Sequence, residues 1–155
     1  MLFVIFRLGP ERYALEAARV IEVIPRLPLR PQPGAPDFVA GLLNFRGKAV
    51  PVLDLGVLTL GVPCAAQLST RILLIQYILK DGAKRLLGLI AEEVTDAVKK
   101  EPDQFVSVAA GQAPYLGKIA LEEGGIVQCI VPERLLPQDV EHMLFDATPA
   151  DGSAV

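Results

Sequence analysis

The chain has 155 residues, 52% of them hydrophobic and 21% charged, with a formal net charge of −3 from 15 basic and 18 acidic side chains. A mean hydropathy of +0.42 excludes a disordered chain, and the slight acidic excess leaves no electrostatic footprint for nucleic acid. The length fits one compact domain or two very small ones, able to bury a core without a metal or disulfide staple.

In chain order, the apolar runs are short and turn residues punctuate them closely. Leu2–Phe6 reads as a strand, Gly9-Pro10-Glu11 as a turn and Arg12–Leu15 as the returning strand. Glu16–Arg19 makes one helical turn before Val20–Ile24, whose β-branched residues favour an extended chain. Residues 25–36 hold five prolines in twelve positions, which neither a helix nor a central strand tolerates, so they form an extended surface loop. Gly41–Phe45 and Ala49–Leu53 flank Arg46-Gly47-Lys48 as a hairpin, and a helical turn follows Leu55. Arg71–Leu79 and Arg85–Ile90 pair across residues 80–84, and Val94–Val98 alternates as a half-buried strand. Tyr115–Leu121 and Ile126–Val131 form a late hairpin around 122–125, a helix occupies 132–145, and 147–155 is a flexible tail.

The second half repeats the first. Val20-Ile21-Glu22-Val23 corresponds to Val94-Thr95-Asp96-Ala97, 74 positions later, and Gly41 corresponds to Gly117, 76 positions later. The prediction is a mostly β single domain over residues 1–146. It consists of two small, interleaved, five-stranded barrel-like subdomains from an internal duplication, divided near 60–70, with short helices.

No catalytic constellation emerges. Cys64 and Cys129 form no CxxC pair and read as free thiols of a reducing compartment. His142 has no second histidine or cysteine nearby to build a metal site, and pairing it with either thiol as a nucleophilic couple has little support. The segment from Gly41 to Ala49 fails as a phosphate loop: five residues separate its glycines, Ala49 follows the lysine, and the flanks are strands. Carboxylates such as Glu16, Asp37, Asp54, Glu92 and Glu93 keep a small ligand-binding or enzymatic β-barrel open as an alternative. Arg7 ends the apolar start too early for a signal peptide, and Gln76 interrupts the longest apolar run, which is too short for a bilayer. A cytoplasmic protein without direct membrane insertion is expected, and the initial Met and the length favour a stand-alone chain.

The most specific feature is the run from Gly41 to Leu55. Gly41, then Asn44-x-Arg46-Gly47, then Pro51-Val52-x-Asp54-Leu55 resembles the signature of the CheW-like domain family. Phe3–Phe6, Tyr13, Val20–Val23, Gly88–Val98 and Tyr115–Leu136 extend the likeness over roughly residues 2–137. The resemblance implies two barrel-like subdomains and a non-catalytic adaptor that needs no cofactor and no metal. Its partners would be the cytoplasmic tip of methyl-accepting chemoreceptors and the regulatory domain of a CheA-type histidine kinase. It places Val20, Glu22 and Arg46 at receptor-binding positions, whereas Gly41, Asn44, Gly47, Pro51 and Asp54 belong to the architecture. The alternative readings are an exposed turn charge for Arg46, core packing for Val20 and a solvated strand residue for Glu22.

Four features depart from the family pattern. Phe45 stands where an aliphatic residue is more common, Gly56 where Arg is common, Glu92 where Asp is usual, and residues 25–36 are unusually rich in proline. These departures point to a divergent chemosensory system, serving surface sensing, pili or cyclic-dinucleotide output.

Overall fold

The computed structural model describes residues 1–108, 112–122 and 124–145. Leu2–Leu8 (β1) and Glu11–Glu16 (β2) form the first hairpin, and a 3-10 turn at Ala17–Arg19 leads into Val20–Pro25 (β3). Val39–Phe45 (β4) and Lys48–Asp54 (β5) form the second hairpin, followed by the helix Leu55–Leu60 (α1). Arg71–Ile78 (β6), Lys84–Ala91 (β7) and Ala97–Lys99 (β8) come next, then Phe105–Val106 (β9), Leu116–Glu122 (β10) and Gly125–Ile130 (β11). Gln138–Phe145 (α2) ends the described chain, so the expected tail at 147–155 lies outside the described residues.

These strands make two sheets. One has the order β3-β6-β7-β5-β4, the other β8-β1-β2-β11-β10-β9. Apart from β9 the two match strand for strand, with the hairpin β6–β7 standing where β1–β2 stands. Along each sheet the neighbours run antiparallel, antiparallel, parallel, antiparallel. The hairpins β4–β5 and β10–β11 also share a register irregularity, between Val39 and Gly41 in β4 and between Leu116 and Ile119, around Gly117, in β10, whereas that between Val20 and Glu22 in β3 has no counterpart in β8. The repeat inferred from spacing is therefore present in the topology.

The expected division near 60–70 is not. Each sheet takes its central hairpin from one half of the chain and its other strands from the other half. The parallel neighbours explain this: β5 beside β7 and β2 beside β11 cannot be joined by a tight turn, so the chain leaves each sheet and returns. Nor are both sheets five-stranded, because the two-residue β9 adds a sixth strand on β10.

Two local expectations also change. The strand expected over Val94–Val98 shrinks to β8 at its end, because Glu93 takes a left-handed φ of 44° that breaks the extension. Thr95 then anchors the crossing, its N–H donating to the Ile5 carbonyl at 3.0 Å. The helix expected over 132–145 splits into a 3-10 turn at Pro132–Arg134 and α2. Pro137 disfavours a helical residue before it, while Leu135 and Leu136 are both buried.

The core explains the unbroken apolar runs. Val4, Phe6 and Leu8 of β1 join the main cluster shared with β6 and β7, while Phe3 and Ile5 face a second cluster with Ala14 and Val127. In β6, Ile72, Leu73, Leu74 and Ile75 are all fully buried, as in a strand covered on both faces. The proline-rich segment protects an edge. Arg30 and Leu42 exchange backbone hydrogen bonds of 2.9 and 2.8 Å, laying one residue of the loop against β4.

Gly41 is what admits that contact. It sits at a φ of 146°, and a Cβ there would lie 2.4 Å from the Arg30 carbonyl oxygen. Gly41→Ala is therefore expected to destabilise the fold by about 2 kcal/mol or more, read as a lowered denaturation midpoint at unchanged m-value.

Candidate interaction site

The β4–β5 turn is a two-residue hairpin turn at Arg46-Gly47, with φ values of 51° and 85°. Asn44 pins it, its Oδ1 accepting the Gly47 N–H at 2.9 Å. Arg46 is the only residue of the turn that adopts the left-handed region without being glycine, a conformation that costs about 1–2 kcal/mol. Its guanidinium Nη2 donates to Glu22 Oε1 at 3.0 Å, and its Cζ lies 4.6 Å from the centroid of the Phe45 ring. The Arg46 side chain is nevertheless 73% exposed, against 36% for Glu22.

This ion pair joins elements at opposite ends of one sheet. Glu22 lies on β3 and Arg46 on the turn after β4, the two outermost strands of the five. In a flat sheet those strands would stand about 19 Å apart, beyond the reach of an arginine. The sheet must therefore curl until its edges nearly meet, which gives the barrel-like form. In the other sheet Lys100, just after β8, and Glu122, at the end of β10, form a different ion pair. There the pair is sheltered, with 9% and 20% of the two side chains exposed, and Arg12 adds a second cation.

Of the residues expected at the receptor face, Glu22 and Arg46 are brought together. Val20 is half-buried and packs against the main core. The apolar side chains flanking Glu22 that do reach solvent are Ile21, 51% exposed, and Val23, 38% exposed. Alternation about the buried Ile24 carries that information in the sequence itself.

The architectural residues each have a definite contact. Asp54 is buried and caps α1, its Oδ1 accepting the N–H of Gly56 at 2.9 Å and of Val57 at 3.3 Å. The Cys64 N–H also donates to this carboxylate, so the chain after α1 folds back over its first turn. A Cβ at Gly56 would lie 2.5 Å from the Val62 carbonyl oxygen, so arginine at this position would expel that loop. Pro51 pairs with Leu42 and lies one residue before the parallel ladder to β7 begins at Val52, so its missing N–H removes no bond from that ladder. Glu92 accepts the N–H of Gly9 at 2.9 Å and of Ala65 at 2.5 Å, clamping two loops to the end of β7.

The same contacts bear on acid–base and nucleophilic chemistry. Asp54 and Glu92 are engaged with backbone N–H groups, and Glu93 is paired with Arg7 at 2.8 Å. Burial, followed by the nearby Asp54 charge, pushes the Cys64 thiol up to about 12, and it donates to the Ile90 carbonyl. Burial, with Glu16 beside it, pushes Cys129 up to about 11. Both thiols therefore stay protonated at neutral pH, the unreactive form. Among the described residues no cluster of three or more His, Cys, Asp or Glu is placed to hold a metal, and no helix is long and apolar enough to cross a membrane.

A family model described as the CheW-like domain matches residues 2–140. The chain belongs to the CheW-like domain family. The chemotaxis protein CheW of Klebsiella aerogenes is 28% identical over 123 residues, covering 76% of this chain and 72% of that protein. Protein FrzA of Myxococcus xanthus is 40% identical over 53 residues, 34% of this chain and 33% of FrzA. The crystal structure of the scaffolding protein TtCheW from Thermoanaerobacter tengcongensis superposes with a TM-score of 0.79 at 23% identity, over 90% of this chain and 89% of that one. The CheW-like fold thus includes both curled sheets.

The sheltered pair carries a pH dependence. Burial opposes ionisation of Glu122, but the hydrogen bond and charge of Lys100, then the charge of Arg12, outweigh it and hold the carboxyl below its ordinary 4.5. A carboxyl depressed in the folded state stabilises above its unfolded value, and that contribution is lost as pH falls through the folded one. Glu122→Gln is expected to cost about 1–3 kcal/mol at pH 7, with the difference from wild type shrinking as the pH falls below 4.5 in denaturant titrations.

Proposed function

We propose that this CheW-like coupling protein is a non-catalytic adaptor between the cytoplasmic tip of methyl-accepting chemoreceptors and the regulatory domain of a CheA-type histidine kinase. It works in the cytoplasm, recruited to membrane-associated receptor arrays. The observation that carries the reading is the exposed Arg46–Glu22 pair at the end of one barrel.

Its chemistry suits a helical partner. A helix presents apolar side chains on one stripe, with carboxylates and end carbonyls beside it. The guanidinium supplies several N–H donors in a fixed fork, one of which is engaged by Glu22, and Ile21 and Val23 expose apolar surface on the other face of β3. An adaptor also needs a second, independent face for the kinase. The duplication offers this as two barrels of one strand topology that carry different ion pairs with different exposure.

Arg46→Ala is expected to weaken receptor-tip binding about tenfold, as for loss of a charged hydrogen-bonding anchor, without lowering the melting temperature. Titration calorimetry against the purified receptor tip and, separately, the kinase regulatory domain checks this. Retained kinase binding with weakened tip binding supports the assignment. Unchanged tip binding removes Arg46 from the receptor site, and failure of the wild type to bind the kinase domain at tens of micromolar, about 6–7 kcal/mol of association, removes the adaptor role.

A further inference from the structure

Phe45 belongs to neither core strand packing nor free surface. It is half-buried at the last position of β4, opposite Lys48, where the hairpin closes. Its side chain packs against the main apolar cluster, and the Arg46 guanidinium lies over the ring, 4.6 Å from the centroid. Three constraints thus converge on one exposed side chain: a left-handed backbone at Arg46, a carboxylate at 3.0 Å and an aromatic ring.

Each constraint removes freedom that an exposed arginine otherwise keeps. A free guanidinium loses up to about 2 kcal/mol of rotamer entropy when a partner fixes it. Glu22 alone fixes one nitrogen and leaves the plane free to rotate about that contact. The ring restrains the plane, because a cation above an aromatic face is held by the ring's quadrupole. An aliphatic residue fills the same half-buried volume but has no such face. In the other sheet the paired carboxylate, Glu122, is held by two cations in a sheltered setting.

We propose that Phe45 is the positioning residue of the receptor site, orienting the Arg46 guanidinium so that its unused N–H donors are pre-set for a carboxylate or helix-end carbonyl of the receptor tip. This rests on the receptor-binding reading of Arg46 given above. Through Arg46, Phe45 selects tips that present an acceptor at one fixed place over tips that offer only apolar surface.

The test compares wild type, Phe45→Leu, Phe45→Tyr and a variant carrying pentafluorophenylalanine at position 45, which keeps the ring's shape but reverses its quadrupole. Binding of the purified receptor tip is measured by calorimetry, with Arg46→Ala alongside and melting temperatures for all. Ring-current shifts of the Arg46 side-chain protons report the stacking directly. Phe45→Leu and the fluorinated variant are expected to lose those shifts and bind about three- to fivefold more weakly, whereas Phe45→Tyr keeps both. In the Arg46→Ala background, Phe45→Leu is expected to have no further effect.

If Arg46→Ala weakens binding but the fluorinated variant binds like wild type, the positioning role is wrong while the receptor reading survives. If Arg46→Ala itself leaves binding unchanged, the receptor reading fails first. A Phe45→Leu variant that loses stability as well leaves the decision to the fluorinated protein, whose packing is preserved.

Discussion

The fold depends on two hairpins that must be buried on both faces. In β6 four consecutive aliphatic residues are shielded completely, and in β1 successive residues enter different clusters. A strand of that kind cannot lie at a surface, since each exposed Leu or Ile would forfeit about 1.5–3 kcal/mol. The two hairpins satisfy the constraint by contributing to one shared core, around which the remaining strands curl. Arg19, which donates to the Gln76 carbonyl at 3.0 Å and pairs with Glu133, fastens the start of β3 across this junction.

Curling creates a second problem, because each sheet still has edges. Strand hydrogen bonding does not join β3 to β4, and side-chain pairs span the gap instead. One sheet uses a glutamate on its outer strand and an arginine at the hairpin; the other uses a different pair, a lysine and a glutamate. Burial separates their roles. A sheltered pair with a further cation stabilises its barrel, while an exposed pair is worth little to stability and keeps donors available to another molecule. On the proposed reading the sheltered pair serves folding and the exposed pair recognition.

Much of this was legible in the sequence. The strand runs, the hairpin signature and the repeat all follow from period-two patterning and turn chemistry, which are local. Asp54, two residues before a glycine and at the start of a helical turn, is recognisable as a cap for the same reason. For Val20 the sequence left receptor contact and core packing both open, and its packing against the main cluster depends on which strands lie beside β3. Gly56 and Glu92 looked like simple departures from a family pattern. Their reason is long-range, since the groups they meet, the Val62 carbonyl and the Gly9 and Ala65 N–H groups, belong to loops that return from elsewhere.

By itself the sequence determined the mostly β class, the repeat, the Arg46-Gly47 turn and the membership that the Gly41–Leu55 run announces. All of these are written in residues within a few positions of one another, or in a spacing that duplication preserved. The tertiary structure alone decided that the halves exchange hairpins between sheets, that Glu22 meets Arg46 across the open edge, and that Phe45 lies under the guanidinium. Those outcomes depend on which strand lies beside which and on how far a sheet curls. Both are set by the burial of the whole core, and no local stretch of the chain encodes them.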